Sequence, residues 1–400
     1  MISSLEYIWH RLPMILMFSN SYLVYRMLVH TQLTEFLVQK AFMKSQGDFC
    51  KLIVLILVSG ALMSFFIPNA VTALILLPML KQIKDQLGIA HKKAITALAL
   101  AAIYGTNIGG MGSLVGSPAN LVLIGALDFF NGGKELQITF FNWFLWSIPL
   151  VICFLGCAFL VIRYIALPLR ISRLKWEAIT PNQLNNQQRQ AMKLFTLFLI
   201  FWIMHAILKQ RFLCYQQYQS YVCLAFIGYF MIRMFIRPNV ITCMQLLQGI
   251  PFRGCSIIIL VACIMLLIRY FNLDNLSVRY LDLVLPKTTS SMKLVCWVTT
   301  ISIFLTEFFS NTIVSTVMFP IVYQTAQMNG LMPLMLMIPV SVASTCAFMT
   351  PIATPCNAFV YGELREISLR AMLLCGFLLN VLCVLCVTCW LPICIPLVYS

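Results

Sequence analysis

The stretch GTNIGGMGSLVGSPANLVLIG, at residues 105–125, interrupts a long apolar run with Gly, Ser, Pro and Asn. A second stretch, STCAFMTPIATPCNAFVYG at 344–362, does the same in the second half of the chain, and 116–120 aligns with 353–357 without a gap. Such residues are costly at mid-membrane depth unless the freed backbone groups line a cavity or meet other protein groups. Each stretch therefore predicts a helix that is broken beside a polar cavity.

A shorter asparagine motif precedes each of these stretches. It is FFIPNAVTALILLP at 65–78 in the first half and FFSNTIVSTVMFP at 308–320 in the second. The same two motifs in the same order indicate an internal repeat. Lys51 and Lys81 flank the first motif. If both lie on the cytoplasmic side, the segment is a hairpin that dips into the membrane, and its counterpart dips from the other side.

Composition places these motifs in a membrane protein. Hydrophobic residues make up 61% of the chain, charged residues only 10%, and the mean hydropathy is +0.92. Apolar runs long enough to cross a ~30 Å hydrocarbon core recur along the chain, at 12–29, 97–127, 139–162, 192–208, 219–236, 254–271, 333–361 and 371–398. The predicted fold is an all-α polytopic membrane protein of inverted repeats, each with a re-entrant helical hairpin and a broken transmembrane helix.

The predicted domains follow the repeat. They are a shortened N-terminal scaffold segment (1–50), a first transport repeat (51–165, with hairpin 51–81 and broken helix 94–127), a cytoplasmic connector (166–191), scaffold helices (192–290) and a second transport repeat (291–400, with hairpin 291–326 and broken helix 333–362).

The net charge of +15 is explained by position rather than by a nucleic-acid partner. Lys and Arg cluster at the ends of the predicted spans, as at Lys81, Lys84, Arg163 and Arg170. They fall mainly on one side, which the positive-inside rule makes cytoplasmic. We therefore expect the lipid bilayer as a partner, no nucleic acid, and a multi-pass protein of the cell (inner) membrane.

Other classes of chemistry have weak signals. Most of the 16 cysteines lie inside apolar runs, where Cys behaves as a small hydrophobe, and no Cys/His set has ligand spacing in a loop. We expect no cofactor beyond Na⁺ as a coupling ion. Asp residues stand near predicted helix ends, which disfavours an intramembrane hydrolase, and no charged pore ring supports a channel.

The breaks themselves favour an anion site. Each creates helix N-termini with unpaired N–H groups and a positive dipole end, which bind anions without a buried Lys or Arg. Each also leaves carbonyl oxygens that suit a hard cation such as Na⁺. The competing interpretation is that these are packing motifs, since Gly112 to Gly116 spells GxxxG, a common helix-contact pattern.

The motifs resemble those of the divalent anion/sodium symporter family, within a superfamily that includes citrate and arsenite carriers. The resemblance rests on TEFFSNT (306–312), NIGGMGSLVGSPANLVL (107–123) and AFMTPIATPCNAFVYG (347–362), and covers roughly residues 30–400. It implies a secondary transporter, not an enzyme, that carries a small anionic substrate with Na⁺, and a homodimer.

The resemblance also implies site residues, taken from the family's hairpin tips and opposing breaks. The implied substrate-binding residues are Asn69, Ser117, Pro118, Ser310, Asn311, Thr312, Thr354 and Pro355. The first implied Na⁺ site comprises Ser64, Asn69 and Gly116, and the second comprises Thr306, Asn311 and Ala353. The expected function is Na⁺-coupled symport of di- or tricarboxylates, or of sulfate-like divalent anions.

Two departures from the family pattern keep alternatives open. The first tip reads Pro68-Asn69-Ala70 where the family has Ser-Asn-Thr, so a proton-coupled or uncoupled oxyanion exchanger is the alternative function. Family members usually have three more spans before the first hairpin, where this chain has 12–29 and 30–50, so a truncated, non-functional member is a further expectation. Glu307, inside an apolar run, has either a structural hydrogen-bonding role or a part in cation or proton coupling.

Overall fold

Proline, glycine and asparagine divide each of the four interrupted segments into two helices. A computed structural model of the chain describes residues 4–34, 48–87, 91–130, 138–167, 184–235 and 290–399, together with single positions between 36 and 45 and at 240 and 242. The predicted span 254–271, most of the connector 166–191 and the scaffold residues 243–289 lie outside the described residues. In the described part of the chain there are thirteen α-helices and no β-strand, which confirms the all-α class.

In chain order the helices are α1 (Ser4–His30), α2 (Phe49–Ser64), α3 (Asn69–Leu87), α4 (Lys92–Gly110), α5 (Pro118–Phe130), α6 (Phe140–Val161, continued by a π-helical turn, Ile162–Ala166), α7 (Asn186–Arg211), α8 (Leu213–Phe235), α9 (Ser291–Thr306), α10 (Asn311–Met328), α11 (Leu334–Thr345), α12 (Pro355–Glu363) and α13 (Leu369–Tyr399). Two of the described helices, at Phe140–Ala166 and Leu369–Tyr399, are long and apolar enough to cross a membrane.

The chain divides into two compact units. The first comprises Met1–Lys40, Thr139–Phe141 and Ile179–Phe252, and contains α1, α7 and α8, which pack on one another. The second comprises Ala41–Ile138, Asn142–Ala178 and Arg253–Ser400, and contains both pairs of interrupted segments with nearly all of α6 and the whole of α13. All of the implied site residues belong to the second unit.

Within the second unit, the two repeats pack by the same scheme. The first arm of each hairpin packs on the first half of the broken helix of its own repeat, α2 on α4 and α9 on α11. The second arm packs on the second half of the broken helix of the other repeat, α3 on α12 and α10 on α5. Each hairpin therefore contacts both broken helices.

The second arms of the two hairpins share a sequence feature. Pro78 lies inside α3 and Pro320 inside α10, each nine residues after the asparagine that begins its helix. An internal proline removes one backbone hydrogen bond and favours a bend at that point.

Glycine sets how closely the first repeat packs. A Cβ added to Gly105 would overlap the backbone of Leu57, and one added to Gly109 would overlap the backbone of Ala61. The backbones of α2 and α4 can approach only because these two positions have no side chain. Gly105 and Gly109 have the same GxxxG spacing as the predicted pair Gly112 and Gly116, but it is this earlier pair that brings the two helices together.

Candidate functional site

Each hairpin turns at an asparagine that is hydrogen-bonded to a hydroxyl five residues earlier. The Ser64 hydroxyl, at the end of α2, donates to Asn69 Oδ1 at 2.5 Å. The Thr306 hydroxyl, at the end of α9, donates to Asn311 Oδ1 at 3.0 Å. Both hydroxyl-bearing residues are fully buried, whereas the asparagines are half-buried at the first position of the next helix. Each tip thus pairs a buried hydroxyl group with an asparagine amide.

A second pair of asparagines holds the two breaks in shape. Asn120 Nδ2 donates to the carbonyl oxygens of Gly110 (3.1 Å) and Ser113 (2.7 Å). Asn357 Nδ2 donates to the carbonyl oxygens of Ala347 and Thr350, both at 2.9 Å. In each case the acceptors lie ten and seven residues before the asparagine. Gly110 is the last residue of α4, and the other three carbonyls lie in the non-helical breaks that follow α4 and α11. These carbonyls have no intrahelical donor, so each asparagine side chain satisfies backbone groups that the break leaves unpaired.

Hydroxyl groups also tie each hairpin to its own break. Ser113 donates a short hydrogen bond to the carbonyl oxygen of Phe65, and Thr350 donates to the carbonyl oxygen of Glu307 at 2.8 Å. Phe65 and Glu307 each directly follow the hydroxyl-bearing end of their hairpin's first arm. The tip and the break of one repeat are therefore fixed to each other by matching contacts.

The Glu307 carboxylate caps the break of the second repeat. Its Oε1 accepts from the backbone N–H groups of Phe348 and Met349, both at 2.9 Å, and from Asn380 Nδ2 at 2.8 Å. Its Oε2 accepts from the Thr350 N–H at 2.9 Å. The side chain is only 1% exposed, so its oxygens are engaged by protein donors rather than by solvent. Of the two roles left open for Glu307, this geometry favours the structural one.

Two chains of hydrogen bonds cross between the repeats. From the first tip, Asn69 Nδ2 donates to Asn107 Oδ1 at 3.3 Å. Asn107 Nδ2 in turn donates to Asn357 Oδ1 at 2.9 Å and to the Ala347 carbonyl at 3.0 Å. The first hairpin tip is thereby connected, through one fully buried amide, to the break of the second repeat.

The reverse connection uses hydroxyl groups of α11. The Thr306 hydroxyl shares its one hydrogen between Asn311 Oδ1 and the Ser344 carbonyl oxygen, which is the nearer acceptor at 2.7 Å. The Ser344 hydroxyl donates to the Ser341 carbonyl at 2.9 Å. The Ser341 hydroxyl then donates to Asn120 Oδ1 at 2.7 Å. Each tip is therefore connected to the break of the opposite repeat through buried polar groups.

Helix N-termini follow all four interruptions. The helices α3 and α10 begin at the tip asparagines, while α5 and α12 begin at Pro118 and Pro355, which favour the first helical position because they lack an N–H. The hydroxyls of Ser310 and Thr354 accept hydrogen bonds from the Ile313 and Asn357 N–H groups, at 3.4 and 3.2 Å.

Only some of the implied site residues contact one another in the structure. Hydrogen bonds join Ser64 to Asn69 and Thr306 to Asn311, and Gly116 lies against the Ser64 carbonyl, since a Cβ there would stand 2.7 Å from that oxygen. In the part of the chain that the structure describes, no hydrogen bond joins the remaining members to either tip asparagine. Those members are Ser117, Pro118, Ser310, Thr312, Ala353, Thr354 and Pro355.

Several residues that shape the site were not among the implied ligands. Asn107, Asn120 and Asn357 appear within the motifs but without an assigned role, and Ser341 stands outside the motifs altogether. Nothing in their local sequence identifies their partners, because the bonds of Asn107 and Ser341 span more than two hundred residues. Only their buried polar character in apolar runs was available as a signal.

Comparison with known proteins identifies the family. The sequence model described as citrate transporter matches residues 5–214 and 220–399. The chain belongs to the citrate transporter family. Its members are transporters rather than enzymes, and the protein is an integral membrane protein. The resemblance to anion/sodium symporters is confirmed.

Similar curated proteins include two named sodium-dependent dicarboxylate transporter SdcS. One, from Staphylococcus saprophyticus, is 26% identical over 351 residues, which is 82% of this chain and 66% of the relative. The other, from Staphylococcus aureus strain USA300, is 26% identical over 357 residues, which is 83% of this chain and 66% of the relative. The matched region thus spans slightly less than two thirds of these relatives.

A solved structure shares the fold. The crystal structure of the Alcanivorax borkumensis YdaH transporter, described as revealing an unusual topology, superposes with a TM-score of 0.65 at 13% sequence identity. The match covers 99% of this chain and 90% of the other. The likeness at this identity shows the fold alone.

Proposed function

We propose that this protein is a secondary active transporter that couples Na⁺ to the movement of a divalent anion, a di- or tricarboxylate or a sulfate-like ion. The observation that carries the proposal is the matched pair of tips, Ser64 with Asn69 and Thr306 with Asn311. Each offers neutral oxygen ligands, which Na⁺ requires, beside a helix N-terminus, which favours an anion. The names of the Staphylococcus relatives support the same pairing of Na⁺ with dicarboxylate.

The helix ends favour a negatively charged substrate. Each of the four helix N-termini that follow the interruptions carries roughly +0.5 elementary charge, which attracts an anion without a buried Lys or Arg. In this proposal Na⁺ binds at the tip oxygens and lowers the cost of bringing the anion out of water, so the ion gradient drives uptake.

The implied residues take these roles. The first Na⁺ site would comprise Ser64, Asn69 and backbone at Gly116, and the second Thr306, Asn311 and backbone at Ala353. The anion would meet the two tips and the opposing helix starts at Ser117 and Thr354. We further propose a multi-pass protein of the bacterial inner membrane that forms a homodimer.

A second candidate function rests on the first tip. Pro68 and Ala70 supply no hydroxyls where the second tip has Ser310 and Thr312. A substrate oxygen left unpaired there would cost roughly 1–3 kcal/mol. This asymmetry favours, as the alternative, an exchanger without Na⁺ coupling, driven by protons or by a counter-anion.

The test is uptake of radiolabelled succinate, citrate and sulfate by proteoliposomes that contain the purified protein. With an inward Na⁺ gradient we expect accumulation of at least one of these anions, and none when Na⁺ is replaced by choline. Asn311→Ala should abolish the Na⁺ dependence, whereas the matched variant Asn329→Ala, at the far end of α10, should not. Uptake that is unaffected by Na⁺ but increased by a pH gradient or by internal anion would support the exchanger instead. No uptake under any condition would reject both.

A further inference from the structure

Three cysteines meet between the helices that close the two repeats. Cys153 and Cys157 lie one helical turn apart on α6, and Cys386 lies on α13. Their sulfur atoms all lie within 4.8 Å of one another, and the sulfurs of Cys153 and Cys386 are 3.5 Å apart. From the sequence these residues were expected to behave as small hydrophobes, because they lie inside apolar runs and no Cys/His set has ligand spacing in a loop.

The helices that carry the thiols are held together independently of them. Trp390 Nε1 donates to the Trp146 carbonyl at 2.9 Å, and Trp146 Nε1 donates to the Tyr399 hydroxyl at 3.2 Å. These contacts fix α6 against α13 near the cluster. The approach of the three sulfur atoms is therefore supported by neighbouring contacts between the same two helices.

The geometry suits a metal ion that prefers sulfur. A zinc-like ion with metal–sulfur bonds of about 2.3 Å needs sulfur atoms about 3.8–4.0 Å apart. The observed sulfur–sulfur separations, one of 3.5 Å and none above 4.8 Å, bracket that value. Three thiols with no carboxylate or imidazole among them select soft ions such as Cu⁺, Cd²⁺, Hg²⁺ or Zn²⁺ over Na⁺, Mg²⁺ or Ca²⁺. The Na⁺ that the transport site would bind is therefore not the ligand here.

We propose that Cys153, Cys157 and Cys386 form a binding site for a thiophilic metal ion that cross-links α6 and α13. When a divalent ion binds, two thiols lose their protons to water and become thiolate ligands, while the third sulfur stays an uncharged donor. The complex is then neutral, which matters because a net charge beside apolar helix surfaces is costly. No oxidant or reductant is needed. Cys153 is exposed on the surface of α6, near the middle of a helix that is long and apolar enough to cross a membrane.

The experiment is a titration of the full-length protein, reduced with a phosphine, with Cd²⁺ as the probe. Thiolate-to-cadmium charge-transfer absorption reports binding, and metal analysis after gel filtration gives the stoichiometry. We expect one tight ion per chain in the wild type. The double variant Cys157→Ser/Cys386→Ser should bind at least about tenfold more weakly, since even the loss of groups that only support metal ligands costs tenfold or more.

The matched control is Cys389→Ser/Cys394→Ser, which removes two α13 thiols that lie outside the cluster. It should keep the tight ion. Equal weakening in both double variants, or no weakening in either, would overturn the proposal.

A measurement on the wild type remains decisive if the cluster variant does not fold. Thiol alkylation followed by mass spectrometry, with and without one equivalent of Cd²⁺, reports which cysteines the ion covers. Joint protection of Cys153, Cys157 and Cys386, with continued labelling of Cys389, would support the site. Protection of a different set, or of none, would contradict it.

Discussion

The two repeats make the same backbone turn with different chemistry. In both, a hydroxyl from the break (Ser113 or Thr350) binds the carbonyl of the residue at the end of the hairpin's first arm. In the second repeat that residue is Glu307, whose carboxylate accepts three backbone N–H groups. In the first repeat it is Phe65, whose ring fills the space where a Cβ at Gly112 would stand. The shape of a break is thus compatible with either ionic capping or close apolar packing, and the matching asparagines are what the repeats share.

Loss of the Glu307 carboxylate should destabilise the protein most. Glu307→Ala would leave three backbone N–H groups and the Asn380 amide without their acceptor, at roughly 1–3 kcal/mol for each unsatisfied group. Because the break can rearrange so that some of these groups find new partners, we expect a total loss of about 3–5 kcal/mol in unfolding free energy, measured by denaturant unfolding in detergent. Phe65→Leu, at the matching position, should lose less than about 1.5 kcal/mol. Equal losses would show that the carboxylate does not hold the second break.

The packing of the Phe65 ring in the first repeat can be tested by adding a methyl group beside it. Gly112→Ala places a methyl group in the Phe65 ring, and overpacking of this kind typically costs 1–3 kcal/mol. The matching substitution, Met349→Ala, removes atoms instead of adding them at a half-buried position. We therefore expect a fall in melting temperature for Gly112→Ala that Phe65→Ala partly restores. A Gly112→Ala variant as stable as the wild type would mean that the ring does not occupy this space.

The tips differ by two hydroxyls, and exchange of residues sharpens that difference. Pro68→Ser/Ala70→Thr gives the first tip the Ser-Asn-Thr sequence of the second. If the added hydroxyls reach the anion, the apparent affinity for succinate should rise about tenfold, which corresponds to about 1.4 kcal/mol and falls within the range for pairing a buried oxygen. The reverse change, Ser310→Pro/Thr312→Ala, should lower it by a similar factor. Opposite or absent shifts in substrate concentration dependence would place the anion elsewhere.

Two ion pairs join the C-terminal part of α3 to residues at the end of α12 and just beyond it, and we expect their loss to have the smallest effect on stability. Lys81 Nζ lies 2.6 Å from Glu363, and Lys84 Nζ lies 2.8 Å from Glu366. These hydrogen bonds hold the pKa of each carboxyl below its usual range. A carboxyl with a lowered pKa in the folded state stabilises the protein above its unfolded pKa of about 4.3, and the contribution is lost as the pH falls through the folded value.

Lys84→Met should therefore lower the melting temperature slightly at pH 7, with no difference from the wild type once the pH is low enough to protonate Glu366. Because the pairs are near the surface, added salt should also reduce the difference. A difference that persists at low pH would assign the effect to lost packing of the Lys84 stem instead.

Much of this fold follows from local sequence rules. Proline at the start of α5 and α12, and asparagine at the start of α3 and α10, determine where apolar runs stop being one helix. The matched order of these signals indicates the repeat. These local signals do not indicate which residues of two distant segments lie opposite each other in the fold. Contacts between residues far apart in the chain therefore could not be predicted. They include the hydrogen bond of Asn107 with Asn357, the approach of Cys153 to Cys386, and the different packing of Phe65 and Glu307 at matching positions of the two repeats.

In the proposed mechanism, the two asparagine tips hold Na⁺ and one anion together. Calorimetric titration of the purified protein with succinate, in Na⁺ and in choline, tests it without a requirement for transport. We expect heat of binding only in Na⁺, and an affinity at least about tenfold lower, or about 1.4 kcal/mol, in both Asn69→Ala and Asn311→Ala. Binding that is equally tight in choline, or that either variant leaves unchanged, would contradict a shared site at the tips.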